Sequence, residues 1–303
     1  MYPENGDYDP TTGILYLSNL YNGSVSVYNV QKREVSSIIT LPDITGHPEN
    51  HAAGIQLDSP RSQLIVVADA AATFLTNGKD ISGTNMAFSY NLAHKNFNWR
   101  VNLTEVAGGR YSGYQDADLD DHGNTFVVGG YPNSIIKVSP DGRAAKLWYA
   151  TDYHNHTVYG FSGIAAADKG RTLLVSDGST GAIYRFDSSE ERGHPIHIPL
   201  QGAVEPLGSS FDAVSLPKFL NSRVLLVVEN NKGVIVLRSK CDGWKQAEVL
   251  GTIPNRYASQ SGLSVAVLEI KSRLYVVTLW LDSQPFRKSF PLYDITSDVM
   301  ALL

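Results

Sequence analysis

Short runs of β-branched and alternating apolar residues, each closed by a polar or glycine-bearing turn, cover the whole chain, and no stretch keeps apolar residues at helical spacing. Six units align: GDYDPTTGILYLSN, GIQLDSPRSQLIVVAD, ADLDDHGNTFVVGG, GIAAADKGRTLLVSD, AVSLPKFLNSRVLLVVEN and GLSVAVLEIKSRLYVVTL. Each has a small residue (Gly6, Gly54, Ala117, Gly163, Ala213, Gly262), a short alternating strand, a polar turn and an apolar second strand. The spacings between those small residues are about 48, 63, 46, 50 and 49, the length of a four-stranded propeller blade. A third strand is legible as SVSVYNV, SIIKVS, GAIYRFD and GVIVLRS, following the second in hairpin fashion. The pattern predicts an all-β fold, residues 1–303 forming a single six-bladed β-propeller domain with four-stranded antiparallel blades, and it excludes a parallel α/β sheet. The excess in the second unit, ATFLTNGKDISGTNMA, lacks strand patterning, so residues 73–86 are expected to be a long loop, a candidate lid over one face. A propeller must close its ring. Either DVMALL (298–303) supplies the missing edge strand or the last blade has fewer strands.

In a propeller the innermost strand of every blade runs along a central channel, so residues just before it gather at one mouth although they lie some fifty positions apart. Those residues are Glu4 and Asn5, His51 and Ala52, Gln115 and Asp116, Phe161 and Ser162, Phe211 and Asp212, and Gln260 and Ser261. The ends of the second strands add Asn19, Tyr21, Asp69, Tyr131, Asp177, Glu229, Asn230 and Trp280. Carboxylates, an imidazole, amides and aromatics together make a pocket for a small organic molecule.

These residues divide by their local context. Asp69, Asp177 and Glu229 follow apolar strands and precede turns, and Asp9, Asp58, Asp120 and Asp168 recur at one phase after the inner strand, so all seven are expected to stabilise turns. Glu4, Asp116 and Asp212 differ in falling at strand starts that face the common axis. His51 closes the polar approach HPENHAAG, where an imidazole can exchange protons with a bound molecule. His154 and His156 in DYHNHTVYG lack a nearby third metal ligand and are expected to line or cover the pocket. No GxGxxG, P-loop, GxSxG or HExxH motif is present.

Composition narrows the partners. The chain is 43% hydrophobic and 18% charged, with a net charge of −5 and no Lys/Arg run, which gives no general attraction to nucleic acid or anionic lipid. Cys241 is the only cysteine, so no intrachain disulfide forms. Without an apolar run near eighteen residues there is no membrane span, and without an apolar leader the expectation is a cytoplasmic protein, or a secreted one whose leader has been removed. Three sequons, at Asn22, Asn102 and Asn155, exceed chance too little to decide between them.

The segment PENGDYDPTTGILYLSNLYNGSVSVYNV, with HAAGIQLD after it, resembles the fungal propellers grouped with the Malassezia skin allergen and with the propeller encoded in trichothecene-toxin gene clusters. The resemblance runs across all six units. Its toxin-cluster branch implies a cofactor-free enzyme of sesquiterpenoid metabolism, in which an allylic hydroxyl leaves with acid assistance and a second hydroxyl closes a cyclic ether. Its allergen branch implies binding of lipid-like molecules. Acid-assisted closure needs a protonated group, a base and apolar walls. Glu4, His51, Asp116 and Asp212 are the candidates for the first two. The candidates for substrate contact are Asn5, Asn19, Tyr21, Gln115, Ser162 and Gln260, with Tyr114, Tyr131, Phe161, Phe211 and Trp280 as walls. A wider similarity to regucalcin and gluconolactonase propellers implies a metal-dependent lactonase with Glu4 and Asp212 as ligands, but Gln115 and Ser162 stand where that family has asparagines. The preferred expectation is therefore a small hydrophobic substrate handled without metal or cofactor.

Overall fold

The apolar runs become the second strand of each blade, at Ile14–Asn19, Gln63–Ala70, Thr125–Tyr131, Thr172–Asp177, Val224–Glu229 and Arg273–Leu279. A computed structural model describes residues 2–152, 155–202, 206–281 and 287–303. Side chains alternate across a strand, and here both faces are covered, because each blade packs against two neighbours. Leu64 and Val66 join Tyr16 and Val25 of blade 1, whereas Ile65 and Val67 join Val127 and Ile136 of blade 3. The same division recurs in blade 5, where Leu225 and Val227 meet Leu174 of blade 4 while Leu226 and Val228 meet Leu274 and Val276 of blade 6. Phe126 and Val128 meet Leu173 and Val175 between blades 3 and 4, and Leu15 and Leu17 meet Leu268 and Val277 between blades 1 and 6. Six apolar clusters thus fill six interfaces, and the ring of a six-bladed β-propeller closes through side chains. Each fully buried Val, Leu or Ile contributes about 1.5–3 kcal/mol.

Blades 1 to 4 have four antiparallel strands each, and blade 5 carries a fifth, Leu200–Gln201, added parallel to Ala247–Pro254. Blade 6 has three strands among the described residues, Leu263–Ile270, Arg273–Leu279 and Tyr293–Asp294. Of the two expectations for the C-terminus, the shorter last blade holds. Thr296–Leu302 forms a helix instead of an edge strand, burying Val299 in the cluster between blades 5 and 6. Met300, Ala301 and Leu302 are good helix formers, and the segment is too short for an apolar period to show. Two other short helices lie at Ala71–Leu75, where the expected loop 73–86 begins, and at Leu103–Val106. No helix among the described residues is long and apolar enough to cross a membrane.

The inner strands are Pro3–Asp9, Asn50–Asp58, Ser112–Leu119, Phe161–Ala167, Phe211–Ser215 and Leu263–Ile270. They approach closely enough to require the small residues of the repeat. A Cβ on Gly54 would stand 2.6 Å from Asp116 Cα and 2.6 Å from Gln115 O, and both are backbone atoms that cannot swing away. Gly54→Ala should therefore cost about 1–3 kcal/mol by overpacking, measured as a lowered urea midpoint with an unchanged slope.

Candidate active site

Every inner strand breaks its pairing register at the same level. The register skips between Pro3 and Gly6, Ala52 and Ile55, Phe161 and Ile164, Phe211 and Val214, and Ser264 and Ala266. In blade 3, Tyr114 and Asp116 pair with the consecutive residues Gly129 and Val128, leaving Gln115 over. A bulge re-aims side chains, and six at one height turn Glu4, Asn5, Gln115, Asp116 and Asp212 toward a shared space.

Glu4, His51 and Asp116 are buried there, and Asp212 is partly so. The Glu4 and Asp212 carboxyls interact directly, and Asp116 and Asp69 add their charge to Glu4. Burial first, then the neighbouring charges of Asp212, Asp116 and Asp69, raise Glu4 well above the usual carboxylate range. Burial also pushes Asp212 up to about 7, opposed by hydrogen bonds from the Asn230 side chain, the Ala213 N–H and Glu4. Asn230 Nδ2 donates to Asp212 Oδ2 at 2.7 Å and to Ser264 O at 2.9 Å, tying the pair to blade 6. Glu4 Oε2 is buried with no hydrogen-bond partner among the described residues. Among the described ion pairs none joins a Lys or Arg to Glu4, Asp116 or Asp212.

Asp116 is tied to backbone. Its Oδ1 accepts from Ala117 N at 3.0 Å and Asn5 Nδ2 at 3.4 Å, and its Oδ2 accepts from Ile164 N at 3.1 Å, in the next blade. Burial still raises it well above the ordinary value, against the lowering effect of those N–H groups. At the edge of the cluster, His51 Nδ1 lies 3.5 Å from Asp69 Oδ1, and burial is the first cause of the raised Asp69 carboxyl.

Aromatic rings form two arcs on this end. One runs from His51 to Tyr21 at 5.5 Å between centroids, Tyr21 to Tyr2 at 5.1 Å, Tyr2 to Phe290 at 4.8 Å and Phe290 to Trp280 at 6.2 Å. The other joins Phe74 to Tyr131 at 5.6 Å and Tyr131 to Tyr159 at 5.4 Å. The Tyr159 hydroxyl accepts from Gln115 Nε2 at 2.6 Å and donates to Phe211 O at 3.1 Å, spanning blades 3 and 5 beside Asp212.

The structure sorts the expected contact residues. Asn5, Gln115, Tyr21, Tyr131 and Trp280 belong to the cluster or its aromatic arcs. Tyr114, Phe161 and Phe211 do not act as walls: they are 0–1% exposed and fill the clusters between blades, because the bulge turns their side chains sideways. Asn19 gives its amide to Ser24 and Ser26, and Ser162 bonds Ser176. Gln260 is exposed at the end of the short 3₁₀ helix Ala258–Gln260, where its N–H donates to Tyr257 O at 2.9 Å and its carbonyl accepts from Trp280 Nε1 at 3.0 Å. His154 lies outside the described residues.

Of the carboxylates expected in turns, Asp9, Asp58, Asp120, Asp177 and Glu229 accept from the turn that follows them. Asp69 faces His51 instead, and the signal was present: Ala-Ala-Ala follows it, where Gly-Ser-Thr follows Asp177. Tyr159 went unnoticed because it sits in an unpatterned loop, although it precedes the fourth inner strand by two residues.

Among the described residues no three His, Cys, Asp or Glu side chains group as metal ligands. A gluconolactonase-type ligand set does not fit here. Glu4 and Asp212 meet, but Gln115 turns its amide nitrogen to Tyr159 and the Ser162 hydroxyl is engaged by Ser176.

Residues 1–253 match the family model described as Mal s 1 allergenic protein-like. The chain is 32% identical to trichothecene biosynthesis protein 14 of Trichoderma arundinaceum, over 100% of this chain and 87% of that protein. It is 31% identical to core trichothecene cluster protein 14 of Fusarium sporotrichioides, over 98% of this chain and 83% of that one. Among solved structures, the major allergen Mala s 1 of Malassezia sympodialis superposes with a TM-score of 0.83 at 25% identity, covering 96% of this chain and 92% of that one. With its six bulged blades, buried carboxylates and these similarities, the chain belongs to the Mal s 1 allergenic protein-like family of six-bladed β-propellers.

Proposed function

We propose that this protein is an enzyme of trichothecene-type terpenoid biosynthesis that rearranges an allylic terpenoid alcohol and closes a cyclic ether by proton transfer. The names of its two relatives from trichothecene biosynthesis support the pathway. The single observation that carries the chemistry is the buried Glu4–Asp212 pair, with Glu4 Oε2 unpartnered beneath an aromatic mouth. Two interacting carboxyls separate into an acid and a base when their environments differ. Here Asn230 and the Ala213 N–H favour the ionised form of Asp212, whose charge keeps the proton on Glu4. Glu4 is therefore the acid and Asp212 the base.

In the reaction Glu4 protonates the departing hydroxyl, the allylic C–O bond breaks and water is released. The second hydroxyl attacks the allylic cation, forms the new C–O bond and gives its proton to Asp212, whose contact with Glu4 returns the proton for the next cycle. The net change is a diol to a cyclic ether and water, without oxidation or reduction. Asp116 holds the carboxylate layer in place, and His51, oriented by Asp69, hydrogen-bonds the substrate at the rim of the pocket. The aromatic arcs hold the folded conformer and face the positive charge, as aromatic faces do for cations.

The test is incubation of the purified protein with allylic sesquiterpenoid diols, read by mass spectrometry for loss of water and by NMR for the ether ring. Turnover that persists after exhaustive chelation is expected. Ligand recovered unchanged from a saturated complex would replace this reading with simple binding, and turnover that needs a divalent ion would replace it with metal-dependent chemistry.

A further inference from the structure

The channel has two ends of different chemistry. Below the carboxylate layer, away from the aromatic arcs, a cavity of about 700 Å³ reaches up to Asn5 and Asp116. Its wall includes one residue from each inner strand, Asp7, Gln56, Asp118, Ala166, Ser215 and Glu269, every one partly exposed. Five of the six are polar. Liquid water takes roughly 30 Å³ per molecule, so the space holds on the order of twenty waters, with this polar ring as their partners and apolar residues such as Ile55, Ile164 and Val267 making up the rest of the wall.

The ring is built rather than incidental. Asp7 Oδ2 accepts from Leu57 N at 2.8 Å and Asp118 Oδ2 from Ala166 N at 2.7 Å, each in the following blade. Glu269 Oε2 accepts from Lys218 N at 2.6 Å, in the preceding one. Asn5 and Asp116 are the residues common to the cavity wall and the carboxylate layer, and the 3.4 Å bond between their side chains forms the septum between the two halves.

We propose that this polar half of the channel is the water outlet of the active site: the substrate enters and leaves past the aromatic rings, while the released water crosses the Asn5–Asp116 septum into the ring of Asp7, Asp118 and Glu269. The inference rests on the proposed dehydrative ring closure and adds the fate of its second product. Water left beside an allylic cation re-adds to it and yields an isomeric alcohol, and its removal commits the cation to the ether. The bound terpenoid occupies the aromatic end, so the hydrophilic route lies below.

The outlet is tested by filling it. Gln56→Phe with Ser215→Phe narrows the ring without touching the carboxylate layer, and the single Ser215→Leu change serves if the double variant folds poorly. Two readouts are made. Deuterium exchange of the protonated carboxyls, followed by infrared spectroscopy through their C=O stretch, needs no turnover and should slow at least about tenfold. In turnover, kcat should fall at least about tenfold and the ratio of isomeric alcohol to ether should rise, while substrate affinity stays the same. Unchanged exchange in a folded, plugged variant overturns the outlet even if the wild-type protein is active. Slowed exchange in a protein that turns nothing over leaves the water route standing and removes the proposed reaction instead. Slowed exchange with kcat and product ratio unchanged shows that water reaches the layer from below but the product water leaves elsewhere, and this also overturns the outlet.

Discussion

Glu4→Gln and Asp212→Asn should each lower turnover by about 10²–10⁴-fold, the range that positioned proton transfer contributes, with substrate binding nearly intact. Both replacements preserve shape. An amide at position 212 keeps an oxygen that accepts from Asn230, so the link to Ser264 O in blade 6 survives. The loss should fall on kcat rather than KM, because the proton is needed in the transition state. Neither variant should be less stable than the wild-type protein at pH 8, since each removes an ionisable group that burial penalises when charged. Full activity in Asp212→Asn would sink the assignment of base. A loss of activity that tracks a loss of folded protein would sink the claim that these groups act chemically.

Unfolding free energy should fall as the pH rises from 5 to 8. Burial raises Glu4, Asp7 and Asp116, brings Asp118 up to about 6 and brings Asp212 up to about 7. A carboxyl raised in the folded state binds more protons there than in the unfolded chain, which makes the slope of stability against pH negative. The contribution of Asp118 is complete below its unfolded value near 4 and disappears as the pH passes about 6, and that of Asp212 disappears through about 7. Two units at Asp118 correspond to about 3 kcal/mol, a large share of the roughly 5–15 kcal/mol of a typical domain. Lowered carboxyls such as Asp187 and Asp294 act in the opposite sense, but only below their ordinary values, outside this window. Urea midpoints at four pH values decide the matter. The Asp118→Asn, Asp212→Asn double variant should show a flatter profile, and a wild-type midpoint that rises toward pH 8 would contradict the account.

The architecture was legible because it rests on period-two alternation and on small residues recurring about every fifty positions, and both can be read directly along the chain. The carboxylate layer was legible in part. Glu4, Asp116 and Asp212 are readable from their place at strand starts, and Asn5, Gln115, Tyr21, Tyr131 and Trp280 lie around them as expected, whereas Tyr114, Phe161 and Phe211 do not. Alternation tells which way a residue points only while the pleat is regular, and each inner strand loses its phase in the two or three residues that form the mouth. That is why Tyr114, Phe161 and Phe211, expected on the channel, pack between blades. Tyr159 and Phe74 were illegible for another reason: they come from connections without periodicity and reach the site by tertiary packing alone. The C-terminal helix was hidden by its length, since a single buried Val299 leaves no repeat to detect.

The two-sided second strands restrict where this scaffold can change. In Gln63–Ala70 odd and even side chains belong to different neighbours, so inserting one residue would send every anchor to the wrong partner and damage two joints at once. Connections such as 71–85 and 155–160 carry no alternating pattern of anchors, and hold the blades only through single side chains such as Phe74 and Tyr159. Variation is thereby steered to the rim, and a wheel whose spokes tolerate no slippage can still acquire new cargo by exchanging the loops around its hub.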